Sequence, residues 1–365
     1  MSDRMVGTTP PPGGGLRLGG IWLFVVAGLA AFAAGVGVQF IRGGDDEARG
    51  DHGPFGSTDP TVCVLEDDAV LASFGSPLTI REDTYTQVPC AIGELVKKGT
   101  TVKAEPGAEA LFFGENGPVK IAWNGHRRVE GLEEAAPELE AFWPRLISLH
   151  AEKQARFAEI LNTGALGGVP NELRIEGPVG KVLVAQPRIV WHDRTDSYPY
   201  RLRARKGNEI LWETVVHERF KGAMIGGFPA ERPLERGDPC VLEIVSSDGR
   251  TAGVPVELVS EEEERRVKRP MEFAAQLLGD LVAYHFLAAN WYWNAGFTHQ
   301  AALELSVLAQ QRLTDRFPLE ALVTLHFDAG NPELALDLAK KLEKMPVFAR
   351  VTVRPTEPGT PPARD

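Results

Sequence analysis

The chain has 365 residues, 43% hydrophobic and 24% charged, with a formal net charge of −11. That length allows two or three domains, and that composition excludes wholesale disorder. The negative balance argues against nucleic acid as the main partner and against a body lying flat on anionic lipid, since both need a concentrated basic face.

The first 20 residues are too short and too rich in Gly and Pro to fold alone. They precede Ile21–Ile41, a 21-residue run with no charge and one polar residue, Gln39, near its end. At the helical rise such a run spans about 30 Å, the thickness of a bilayer core. It exceeds the apolar stretch of a cleaved leader, so it is predicted to be an uncleaved transmembrane signal anchor. The flanking cations tie (Arg4 and Arg17 before, Arg42 and Arg49 after), and the short leading tail decides for a cytoplasmic N-terminus. The expected location is therefore the inner (cytoplasmic) membrane, single-pass, with the body in the periplasm or otherwise outside the cytoplasm. Ala27, Ala31 and Gly35 recur every four residues, a spacing that lets spans pack closely but that alanine-rich segments also produce by chance.

Residues 42–60 read as a flexible linker. Residues 61–130 read as a small β-module: short runs rich in β-branched and aromatic residues, bounded by turn pairs such as Pro106-Gly107 and Asn116-Gly117. Residues 131–165 turn helical, with Leu139, Phe142, Leu146, Leu149, Phe157 and Ile160/Leu161 at spacings of three and four and a break in the middle at Lys153. Residues 172–260 return to strands and point to a β-sandwich; Tyr200 to Arg205 alternates apolar residues with arginines. Residues 265–346 read as helix, and the charged run 261–269 (EEEERRVKR) reads either as a connector or as the first turns of that helix, with its acids N-terminal. Gly296 and Gly330 lie 34 residues apart, and so do Ala301 and Ala335, the period of a helix-hairpin repeat. Phe273 to Trp293 is apolar enough to weigh as a second span, but Asp280 and His285 inside it favour a core helix. Residues 347–365 read as a disordered tail. The fold class expected is one N-terminal transmembrane helix, then two all-β modules joined by a helical segment, then an all-α helical-repeat region.

Chemistry-bearing motifs are scarce. Eight histidines are scattered, with no HExxH, no P-loop and no nucleophile elbow, so no catalytic residue, metal ligand or cofactor site is nominated. Cys63 and Cys90 flank strands of the first β-module and form a disulfide candidate suited to an oxidising compartment, while Cys240 reads as a core residue. Trp291, Tyr292, Trp293 and Phe297 cluster at the first repeat turn. Three consecutive aromatics on a helix cannot all face one core, which makes these four the partner-binding candidates.

Three resemblances sharpen this reading. Residues Val96–Gly125, with Gly99, Pro106-Gly107, Ala110-Leu111, Asn116-Gly117 and Ile121, resemble the FecR-like domain. Only 20 residues precede the span, too few for the cytoplasmic sigma-regulating segment of that family, so the resemblance implies an envelope β-module without that activity. Residues Pro187–Gly249, through Trp191, Tyr200, Trp212 and the Leu234-Glu235-Arg236-Gly237 turn, look like a fibronectin type III or immunoglobulin-like sandwich, with Pro239-Cys240 where that family has an aromatic. The 34-residue hairpins resemble tetratricopeptide repeats. Together these imply a non-enzymatic envelope scaffold or adaptor that binds a protein partner. A FecR-type transmembrane regulator and an envelope enzyme without recognisable motif are the alternatives.

Overall fold

The structure is a computed structural model that describes residues 62–75, 78–82, 86–88, 91–104, 107–122, 125–162, 173–195, 197–216, 224–227, 233–345 and 351–352. The expected span, the linker 42–60 and Cys90 lie outside these residues. No described helix is long and apolar enough to cross a membrane. Sheets fill the first part of the chain and helices dominate the C-terminal part.

The first nine strands are β1 (Val62–Val64), β2 (Ala69–Phe74), β3 (Leu78–Glu82), β4 (Thr86–Val88), β5 (Leu95–Val96), β6 (Thr101–Ala104), β7 (Glu109–Gly114), β8 (Gly117–Ala122) and β9 (Gly125–Arg128). They form two sheets. One runs β1-β6-β3-β4 and gains Val351–Thr352 beside β4; the other runs β5-β2-β7-β8-β9. The central strands of the second sheet, β2 and β7, are buried on both faces. Along β2, Ala69 and Leu71 point into the module's own core while Val70 and Ala72 point away from it into a second core built with helices. Along β7 the same division separates Ala110 and Phe112 from Leu111 and Phe113. A strand covered on both sides reads as a continuous apolar run, not an alternating one.

Three helices follow: α1 (Leu132–Ala135), α2 (Pro137–Glu140) and α3 (Phe142–Asn162). Pro137 opens α2, where its missing N–H costs nothing. Helix α3 passes through Lys153 unbroken. The gap in the apolar pattern there is a real feature of another kind: Lys153 itself occupies the inward position and is buried.

The next strands are β10 (Leu173–Gly177), β11 (Gly180–Val182), β12 (Arg188–Asp193), β13 (Tyr200–Lys206), β14 (Glu209–Val216), β15 (Met224–Gly227), β16 (Cys240–Val245) and β17 (Thr251–Leu258). They make a three-stranded sheet, β10-β12-β15, and a five-stranded one, β11-β17-β16-β13-β14. Trp191 and Ile189 from the first sheet meet Tyr200, Leu202 and Ile244 from the second in a common core. At one end, buried Asp193 accepts from both terminal guanidinium nitrogens of Arg250 at 3.0 Å, from the backbone N–H groups of Thr195 and Ser197, and from the Tyr200 hydroxyl at 2.9 Å. Burial opposes ionisation of that carboxyl, but these donors outweigh it and hold it down to about 2.

Five helices complete the described body: α4 (Glu261–Leu277), α5 (Leu281–Asn294), α6 (Thr298–Gln311), α7 (Phe317–Asp328) and α8 (Pro332–Glu343). Ser260 caps α4 by accepting from the N–H of Glu263, and four glutamates in its first turn complement the helix dipole. The apolar stretch from Phe273 to Trp293 is split between α4 and α5. Gly279 takes a left-handed φ of 63°, and Asp280 starts the new helix by accepting from the N–H of Ala283. Two hairpins follow, α5 with α6 and α7 with α8. Gly296 and Gly330 turn them with φ of 82° and 81°, and Ala301 and Ala335 are each fully buried where the helices cross.

Candidate functional site

Two joints hold the modules together, and the unusual chemistry of the chain sits in them. In the first, α3 lies across α5 and α7, the leading helices of the two hairpins. Its apolar contacts join the outward face of the first β-module. The ring of Phe113 stacks on Trp143 at 5.5 Å and on Phe286 at 6.1 Å, and Phe142 meets Trp291 edge-on at 5.1 Å. In the middle of this dry contact the side chains become polar. Lys153 Nζ donates to Asn290 Oδ1 at 3.0 Å and stands 4.0 Å from the Trp293 ring centroid. Asn290 Nδ2 donates in turn to the Phe286 carbonyl at 2.8 Å. One turn earlier on α3, His150 is fully buried between Phe286 and Phe317, and its Nδ1 has no hydrogen-bond partner. Its Nε2 lies 3.1 Å from Gln154 Nε2, which also donates to the Gly93 carbonyl at 3.4 Å.

Burial, reinforced by Arg145, pulls the Lys153 amine down to about 7, because the site offers an amide and an aromatic face but no carboxylate. Burial also drives His150 down to about 4, so it is neutral near pH 7. The C-terminal half of α3 is held differently, by an exposed ion pair. Arg156 reaches Asp328 at 3.0 Å and Glu159 at 2.8 Å, and it covers the Phe327 ring.

The second joint sets the second β-module against the trailing helices. Arg174 on β10 pairs with Glu333 in the first turn of α8 and, at 3.3 Å, with Glu176 on its own strand. Both partners of the Arg174–Glu333 pair are buried. Close by, the absent side chain of Gly177 leaves room for the His299 ring: a Cβ there would stand 3.0 Å from His299 Nδ1. Burial holds His299 down to about 4. It does the same to His326, with help from the positive field of His299 and Arg174.

The aromatic candidates face this chain's own neighbours. Phe297 is fully buried and Tyr292 nearly so, meeting edge to face at 6.5 Å. Trp291 is half-buried and donates its indole N–H to the Val267 carbonyl at 2.9 Å; Trp293 is half-buried beneath Lys153. The sequence places at least one of these aromatics against a neighbouring domain or a partner, and α3 is the neighbour on which the third of them, Trp293, packs. Sequence reasoning passed over Lys153, whose one signal was the break it makes in an otherwise apolar stripe. Cys63 is buried in the first β-module, and burial pushes its thiol up to about 11; Cys90, its expected partner, lies outside the described residues. Among the described residues no group of three or more His, Cys, Asp or Glu side chains is placed to hold a metal ion.

No protein-family model matches the chain, and no curated protein is found to be similar to it.

Proposed function

We propose that this chain is a membrane-anchored, non-enzymatic scaffold or adaptor of a cell envelope, tethered through Ile21–Ile41 with its body outside the cytoplasm. In this reading it binds a protein partner through its β and helical-repeat modules. The first module is FecR-like, the second is a fibronectin type III or immunoglobulin-like sandwich, and the C-terminal hairpins are tetratricopeptide-like. The observation that carries the proposal is the shared core. Val70, Leu111 and Phe113 of the first β-module, Trp143 and Leu146 of α3, Leu183 and Val259 of the second module, and the helices from α4 to α8 bury their apolar residues in one cluster. A continuous core of that extent makes a stiff body, suited to holding a partner at a set distance from the membrane, rather than a string of independent beads.

The titratable groups fit the same role. His299 and His326 are kept neutral inside the second joint, and Asp193 is committed to fixing a loop. These are side chains spent on shape.

A protease-accessible, crosslinkable tag at the C-terminus tests the reading, probed in intact and in permeabilised cells. The tag is expected to be cleaved in intact cells once the outer barrier is opened, and crosslinking is expected to trap one envelope protein. Cleavage only after lysis of the cytoplasmic membrane overturns the topology. Deleting residues 2–17 separates scaffold from transducer, since a scaffold keeps its crosslinked partner and its cellular function without that tail. Removing residues 1–50 is expected to move the body from the membrane to the soluble fraction.

A further inference from the structure

We propose that helix α3 is a proton-sensitive latch: it fills the groove between α5 and α7, and its hold weakens as its two inward basic side chains, Lys153 and His150, take up charge. The inference holds whether or not the scaffold reading does, because it rests on the joint alone.

The groove side of α3 begins and ends as an ordinary apolar stripe, with Trp143, Leu146 and Ile147 before the polar pair and Ile160 after it, all buried. Leucine or methionine at 150 and 153 would extend the stripe at no electrostatic cost. The chain instead places a histidine and a lysine there, three residues apart on one face, with nothing of opposite charge across from them. From α5 the groups opposite are Asn290, Trp293 and Phe286; from α7, Phe317 faces His150, and Asp328 is taken by Arg156 at the rim. The first β-module contributes the Gly93 carbonyl, which accepts from Gln154 and also favours the charged form of His150, though burial outweighs it. Of the charged groups on α3 itself, Arg145 opposes the Lys153 charge and Glu152 favours it, and these two pair with each other on the exposed side at 2.7 Å. Released into water, both basic side chains can charge freely. Docked, each does so against desolvation.

The two groups act in separate pH windows. Lys153 has a docked value of about 7 against an ordinary value of 10.5, so docking is firmest above 10.5, weakens as pH falls from there to 7, and levels off below. His150 has a docked value of about 4 against 6.5, so it weakens docking further from 6.5 down to 4. Undocking would bare Phe286, Trp293 and Phe317, an apolar groove of the kind that accepts an amphipathic helix.

Hydrogen exchange of the full-length protein in detergent, corrected for intrinsic rates, reads the opening of α3 against strand β13 of the second module as an internal reference. The opening constant of α3 is expected to rise roughly tenfold from pH 8.5 to 7, and again by about tenfold from 6.5 to 5, while β13, which carries no histidine, stays flat. Lys153→Met should abolish the first rise and His150→Phe the second. Asn290→Asp gives the lysine its missing counter-charge and should flatten the first rise while leaving the amine charged, so the test survives if Lys153→Met folds poorly. An α3 profile that follows β13 across the whole range overturns the latch. So does a first rise that persists in both Lys153→Met and Asn290→Asp.

Discussion

Arg174→Ala is expected to destabilise the body by about 3–5 kcal/mol, the cost of leaving charge buried without its partner. The arginine side chain is 7% exposed and that of Glu333 is 9%, so water cannot take over the role of the missing guanidinium. The loss is asymmetric. Removing Arg174 strands two carboxylates, Glu333 and Glu176, whereas Glu333→Ala leaves the guanidinium its second partner at 3.3 Å and should cost less. The double variant Arg174→Met, Glu333→Leu should recover most of the stability, since apolar side chains of similar volume fill a dry joint without a desolvation penalty. Urea unfolding monitored by tryptophan fluorescence checks all three, with the shift in midpoint read at constant slope. A double variant as unstable as the sum of the singles would mean that the two side chains do not act as a pair.

This joint also decides whether the body melts as one unit. The apolar core runs from the first β-module through α3 to the last helix without interruption. The second β-module has its own core, around Trp191 and Tyr200, and is tied to the rest through Leu183, Val259 and the Arg174 pair. With the pair intact a single transition is expected. Breaking it should separate an early transition of the second module from a later one of the remainder.

How much of this was legible in the sequence depended on how many neighbours each element has. Strands with one face toward their own module's core announced themselves: Tyr200-Arg201-Leu202-Arg203-Ala204-Arg205 alternates because its arginines reach the surface side, where Arg203 and Arg205 meet Glu243 at 2.5 and 2.8 Å. Strand β2, AVLASF, was passed over because both its faces are buried and its small residues carry no period. The helix hairpins were readable from the 34-residue spacing of glycine and alanine, since a tight left-handed turn and a close helix crossing each demand a small residue. What the pattern did not carry was contact between modules. Lys153 reads as an interruption in α3, and Trp293 as an aromatic awaiting a neighbour, because each makes sense only when the other is present. Arg174 and Glu333, separated by 159 positions, offered no local signal at all.

Gly93→Ala tests the point at which three elements meet, and it is expected to cost about 3 kcal/mol from two separable sources. Gly93 donates its N–H to the Leu71 carbonyl of β2 at 2.8 Å, and its own carbonyl accepts from Gln154 of α3. Its φ is 81°, a conformation that costs an L-residue about 1 kcal/mol or more. A methyl group at this position would also stand 2.4 Å from Cγ of Phe317, inside its ring contact. That ring cannot step aside freely, because it packs on His150 at 5.0 Å and on Phe286 at 5.2 Å, and overpacking of this kind costs about 1–3 kcal/mol. Gly99 supplies the control. It has nearly the same φ, 82°, and nothing within 4 Å of an added methyl, so Gly99→Ala should show the backbone cost alone. Pairing Gly93→Ala with Phe317→Ala should remove the clash, making the double variant less damaging than the two singles added together. Strict additivity in that cycle would place the whole cost in the backbone and leave the contact between the first β-module and α7 without energetic weight.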